Sequence, residues 1–66
     1  TGNTFSYFLN HFRVEKSKKL LIDTDLNLLD IAITVGFNNQ NYYSMVFKKY
    51  TNMSPSKYRA SISLEE

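Results

Sequence analysis

The run from Leu28 to Phe47 is two short helical patterns joined at a single glycine, Gly36, and no other feature constrains the chain as much. Before the join, Leu28, Ile31, Ala32 and Val35 recur at the three-and-four spacing of one buried helix face. After it, Tyr43, Val46, Phe47 and Tyr50 form a second apolar stripe. Gly36 falls where a helix needs a left-handed residue just past its end, and glycine enters that conformation with no Cβ in the way. Phe37 can then fold back onto the helix it follows. Asn27 is the expected N-cap of the first helix, with Asp30 favoured in the first turn by the helix dipole. Asn38 is the expected N-cap of the second. A helix, a tight glycine turn and a second helix is an arrangement that presents one helix to the major groove of duplex DNA.

Composition narrows what surrounds this unit. The chain has 66 residues, enough for one small domain or a piece of a larger protein. A chain of this length buries only about 60% of its unfolded surface, so stability is expected to be marginal. It has no cysteine, and its one histidine is His11, so apolar packing alone must build the core. No stretch approaches the roughly 18 apolar residues of a membrane span, and no signal-peptide pattern is present. A reducing, cytosolic setting fits. His11 has no convergent carboxylates in the pattern and reads as a surface or partly packed helix residue. Arg13 and Glu15 read as an ion pair on or between helices. No catalytic residue, cofactor or metal is expected.

The formal charge is only +2, but its distribution is uneven. The acidic residues are Glu15, Asp23, Asp25, Asp30, Glu65 and Glu66, so none lies between Ile31 and Leu64. That span carries Lys48, Lys49, Lys57 and Arg59. An acid-free basic half suits a polyanion, and it equally suits a solvated face that happens to carry lysines.

Helices are expected on both sides of the central unit. Thr4 is a candidate N-cap, and Phe5, Phe8, Leu9, Phe12, Leu20 and Leu21 predict a long amphipathic helix from Phe5 to Ile22. Arg13, Lys16 and Lys19 share one side of its second half, and Asp23-Thr24-Asp25 reads as a polar connection. Ser54-Pro55 is a cap followed by the residue best suited to a first helical position, so a last helix is expected from Pro55 to about Ile62. Its Tyr58 should pack inward, with Lys57 and Arg59 facing solvent or phosphate.

The helix after Gly36 has an unusual outer side. Asn41, Ser44, Met45 and Lys48 lie opposite the apolar stripe, flanked by Gln40, Tyr42 and Lys49. Asn and Gln bond bidentately to adenine in the major groove, and they are also ordinary surface residues.

The beginning of the chain matches its end. Displaced by fifty positions, Thr1 falls on Thr51, Gly2 on Asn52, Thr4 on Ser54, Ser6 on Ser56 and Phe8 on Tyr58. Gly and Asn both enter left-handed backbone, and Thr and Ser both cap helices. The first copy is therefore expected to be the tail of an earlier helix-turn-helix, with its helices upstream of Thr1.

Taken together, Asp30-Ile31-Ala32, Val35-Gly36-Phe37, Gln40, Tyr42-Tyr43-Ser44, Phe47-Lys48-Lys49 and Ser54-Pro55 through Tyr58-Arg59 resemble the C-terminal part of the AraC/XylS family of bacterial transcription regulators. Phe5, Phe8-Leu9-Asn10, Arg13, Glu15-Lys16 and Leu20-Leu21 resemble that family's long linker helix. The resemblance implies an all-α, homeodomain-like helix-turn-helix of about four helices. Residues 1–3 would be the tail of a first unit, 4–22 the linker helix, 27–62 the second unit with its closing helix, and 63–66 a C-terminal end or expression remnant. It further implies sequence-specific, non-catalytic DNA binding in transcription regulation, with the helix 38–50 in the major groove. Carried over, Gln40, Asn41, Tyr42 and Met45 face the bases. Ser44, Lys48, Lys49, Lys57 and Arg59 meet phosphates, as do the amides opening the helices after Asn27 and Ser54. Met45 stands where the family often has Arg, and Asn52 replaces the usual Gly. The implied partners are double-stranded DNA, the rest of the parent regulator and RNA polymerase, with no membrane and no small-molecule ligand. The rival reading is a helical protein-interaction module whose face is Asn41, Tyr42 and Met45.

Overall fold

A computed structural model describes the backbone of residues 3–64 and the side chains of residues 5–62. Its elements are α1 (Asn3–Asp23), α2 (Leu28–Val35), α3 (Gln40–Thr51) and α4 (Pro55–Leu64), with no strand among the described residues. The expected tail at Thr1 and Gly2 and the ending at Glu65 and Glu66 lie outside the described residues. Thr4 was the expected cap of α1, but the helix already includes Asn3, so any cap precedes it and also lies outside.

Local chemistry accounts for most element boundaries. Asn27 is extended (φ −74°, ψ 167°), and its Oδ1 accepts from the Asp30 amide at 2.8 Å, the expected cap of α2. At the other end Gly36 is left-handed, φ 111° and ψ 8°. Its amide donates to Ile33 O at 3.1 Å, and the Phe37 amide donates to Ala32 O at 2.9 Å, closing the last turn. The cap of α3 is Asn39, one residue later than expected: it is extended, and its Oδ1 accepts from the Tyr42 amide at 2.7 Å. Asn38 and Asn39 have the same side chain, so the extra turn residue alone decides between them. Asn52 ends α3 in the left-handed region at φ 66°, as its tolerance of that backbone allows. The Ser54 hydroxyl accepts from the Lys57 amide at 3.2 Å and starts α4, with Pro55 buried behind it.

The core gathers where three helices meet the second half of α1. Val14, Leu21, Ile31, Ala32, Phe37, Tyr43, Val46 and Phe47 are buried, with Leu20, Leu28, Val35, Tyr50 and Tyr58 packed against them. The aromatic members meet edge to face or tilted, Phe37 with Tyr43 at 5.3 Å, Tyr43 with Phe47 at 5.8 Å and Phe47 with Tyr58 at 5.5 Å between ring centroids. Each fully buried Phe contributes about 1.5–3 kcal/mol by leaving water.

The stripe expected along α1 is corrected in its first half. Phe5, Phe8 and Phe12 are 72, 68 and 54% exposed, whereas Val14, Ser17 and Leu21 form the buried line. The reason is facing: at 3.6 residues per turn Phe5, Phe8 and Phe12 fall on the side of α1 opposite Val14, Ser17 and Leu21. Helix α3 meets α1 on that second side, as far back as Tyr7 and Asn10, along a helix about 31 Å long. The molecule is accordingly elongated, 42 × 21 × 17 Å. The expected Arg13–Glu15 pairing is also replaced. Glu15 pairs with Lys18 at 2.9 Å, which holds its carboxyl below the usual range. Arg13 instead lies over the Phe37 ring, its Cζ 5.6 Å from the centroid.

Among the described residues, one buried side-chain group lacks a partner. Tyr43 is fully buried and its hydroxyl makes no hydrogen bond, while the Ser17 hydroxyl donates to Val14 O at 2.8 Å. Burial pushes the Tyr43 phenol above its ordinary range. Tyr43→Phe is therefore expected to be neutral, or to raise stability by about 1 kcal/mol, since it removes an unsatisfied polar atom and keeps the ring. A chemical-denaturation series checks this, and a loss above about 1 kcal/mol would reveal a bond that the hydroxyl does make.

Candidate nucleic-acid interface

Helix α3 is split lengthwise into a buried and an open side. Tyr43, Val46 and Phe47 are buried, while Gln40, Asn41, Tyr42, Met45, Lys48 and Lys49 are exposed. Met45 is 66% exposed, at the centre of this open side. Asn41, Tyr42, Ser44, Met45 and Lys48 line one shallow depression of about 540 Å³, together with Asn39 and Ser54. Lys49 lies on the opposite flank, where Asn10, Tyr42, Met45, Val46, Lys49 and Tyr50 line a second depression of about 320 Å³. Gln40 lines neither, standing exposed in the first turn of the helix. Lys48 and Lys49 sit in the last turn of α3, where the helix dipole favours cations whatever their other role.

Outside α3 the expected residues divide. Lys57 is exposed on α4. Arg59 differs from its expected place at a phosphate: its Nε donates to Leu21 O at 3.0 Å, Nη1 to Leu26 O at 2.8 Å and Nη2 to Thr24 O at 3.0 Å. The guanidinium thus clamps the connection between α1 and α2, using the planar fork that suits arginine to several carbonyls at once. The first-turn amides of Asp30 and Lys57 are likewise engaged by the caps Asn27 and Ser54.

The long helix α1 contributes to this face, which sequence patterning does not reveal. Asn10 Nδ2 donates to Tyr42 Oη at 3.3 Å, and Tyr50 Oη donates to Tyr7 O at 3.2 Å. Tyr7 and His11 flank the Tyr50 ring at 5.3 and 5.7 Å. Partial burial, with Tyr7 and Tyr42 beside it, pushes the Tyr50 phenol above its ordinary range and keeps it a neutral donor. Ser54 and Asn39 also line the main depression; in the sequence Ser54 is legible only as a cap, and Asn39 carries no signal of its own. Among the described residues, no group of three His, Cys, Asp or Glu side chains converges as a metal site would need. No described helix is long and apolar enough to cross a membrane.

A family model described as a helix-turn-helix domain matches residues 1–61. The HTH-type transcriptional regulator YijO of Escherichia coli (strain K12) is 44% identical over 55 residues, 83% of this chain and 19% of that protein. The melibiose operon regulatory protein of the same organism is 39% identical over 56 residues, covering 85% of this chain and 18% of its own. Among solved structures, the C-terminal domain of the two-component response regulator yesN from Fusobacterium nucleatum is similar with a TM-score of 0.81 and 44% identity, covering 83% of this chain and 53% of that one. The chain thus spans about a fifth of the length of those curated relatives.

Proposed function

We propose, for a chain that belongs to the AraC/XylS family of helix-turn-helix regulators, that α3 enters the major groove of duplex DNA and reads sequence there without chemistry. The observation that carries this reading is the open side of α3: amides, a methionine and two lysines, with no carboxylate, on a helix whose other side is core. Gln40 and Asn41 can pair bidentately with adenine, and Met45 can touch a thymine methyl. Tyr42 stands among them. Ser44, Lys48, Lys49 and Lys57 take the phosphates. The activity belongs to transcription regulation in a bacterial cytoplasm. The exposed Phe5, Phe8 and Phe12 side of α1 supports a first helix-turn-helix unit packed there, which makes the present unit the second of two. The groove of about 560 Å³ that includes Phe12, Leu20 and Val35 continues that apolar side.

Binding to duplex DNA across a salt series tests the reading. Alone, this unit should bind within the non-specific range of about 10⁻⁴ to 10⁻⁶ M, and log affinity should fall linearly with log salt. Replacing Lys48 and Lys49 with Ala in the full-length protein should weaken all sequences alike and reduce the slope by about 2. Replacing Gln40 and Asn41 with Ala should keep the slope and relax the preference, at about 1–3 kcal/mol per lost base pairing. Unchanged preference would sink the base-reading role. Association insensitive to salt, uncompeted by duplex, would favour a protein-binding face at Tyr42 and Met45 instead.

A further inference from the structure

We infer that Asn10, on the linker helix, is a specificity-determining positioning residue that holds the Tyr42 hydroxyl so that its proton is offered to an acceptor on a DNA base edge. The inference rests on the proposed reading by α3 and deepens it.

Tyr42 is held at both ends. Its ring meets the Phe37 ring edge-on at 5.7 Å, and Phe37 is itself buried beneath Arg13. Its hydroxyl oxygen accepts from Asn10 Nδ2 at 3.3 Å, a bond between residues 32 positions apart. A tyrosine has only two side-chain torsions, so the two contacts leave little freedom to be lost on binding. Yet the side chain remains 42% exposed, and with Met45 it borders both depressions that flank α3. Released from Asn10, it can swing toward either one. Held there, it presents one edge at one position along the groove.

The direction of the bond matters as much as the place. Because Asn10 donates through Nδ2, the Tyr42 oxygen is the acceptor and its own hydrogen is left free. An O–H that accepts one bond donates a second more strongly. The major groove supplies matching acceptors in purine N7, guanine O6 and thymine O4. Asn10 itself is half-buried against α3 and acts through Tyr42.

The test is a double-mutant cycle on the full-length protein. A preferred duplex is first selected from a random-sequence pool with the unchanged protein. Affinity is then measured for that duplex and for its single base-pair variants. Tyr42→Phe should lose about tenfold on the preferred duplex and flatten discrimination at one base pair. Asn10→Leu should flatten the same base pair by a smaller factor, and the double variant should be no worse than Tyr42→Phe alone. Unfolding midpoints should stay together throughout. Losses that add in the double variant, or an Asn10→Leu effect spread evenly over all sequences, would overturn the inference. If Tyr42→Phe leaves discrimination intact while the Gln40 and Asn41 changes remove it, the inference falls and the reading by α3 stands. If the unchanged protein selects no sequence at all, the reading by α3 falls first.

Discussion

Gly36→Val should cost about 3 kcal/mol or more and leave the helix-turn-helix largely unfolded near its working temperature. Two independent effects combine. The residue sits at φ 111°, where an L side chain is strained by about 1–3 kcal/mol and a β-branched one most of all. A Cβ added there would also stand 2.9 Å from Arg13 Nε and 3.3 Å from Arg13 Cζ. The guanidinium can swing away, but only by leaving the Phe37 ring, a contact of about 0.5–1 kcal/mol. Against a total stability of roughly 3–10 kcal/mol for a domain of this size, the sum is decisive. Thermal melts followed by far-ultraviolet circular dichroism measure it. Adding Arg13→Ala to Gly36→Ala should relieve the clash and leave the backbone strain. A Gly36→Val protein that melts like the original would show that the turn is not left-handed.

Arg59→Ala should be the next most damaging change, at about 2–4 kcal/mol. Three carbonyls, of Leu21, Thr24 and Leu26, lose a charged donor together. Charge-assisted bonds contribute about 1.5–3 kcal/mol each, and water can replace part of that at a site only partly buried. Arg59→Lys should recover little, because an ammonium lacks the fork that reaches three oxygens. Denaturation gives the stability, and DNA affinity of the folded variant supplies the control. Were Arg59 a phosphate contact after all, the same substitution would flatten the salt slope and spare the melting curve.

The two residues show how far the chain could be read before folding. Gly36 was legible because its requirement is local: one residue past an apolar repeat must turn left-handed, and glycine does so at no steric cost. Asn27 and Ser54 were legible for the same reason, as was the burial of Ile31, Ala32, Tyr43 and Phe47 from helical spacing. Asn39 displaced Asn38 as a cap because adjacent identical side chains carry no signal about which one stays extended. The charge of Arg59 points toward phosphate, since nothing near it in sequence reveals the carbonyls of Leu21, Thr24 and Leu26 at the end of α1 and in the connection after it. Phe5, Phe8 and Phe12 have the spacing of a buried face, but spacing says which side is apolar and not whether anything covers it.

The open side of α3 follows the same division. Its composition, free of acid and rich in amides, was evident from residues 38–50 alone. The Asn10 bond to Tyr42, the Arg13 contact with Phe37 and the grouping of Ser54 with Asn41 and Met45 were not. The sequence by itself determined the four helices, the Asn27 and Ser54 caps, the turn and the core-facing residues of α2 and α3, because backbone preference and periodic burial act within a few neighbours. Only the tertiary structure decided which polar groups became partners, since Asn10 and Tyr42, 32 residues apart, meet only when the helices cross.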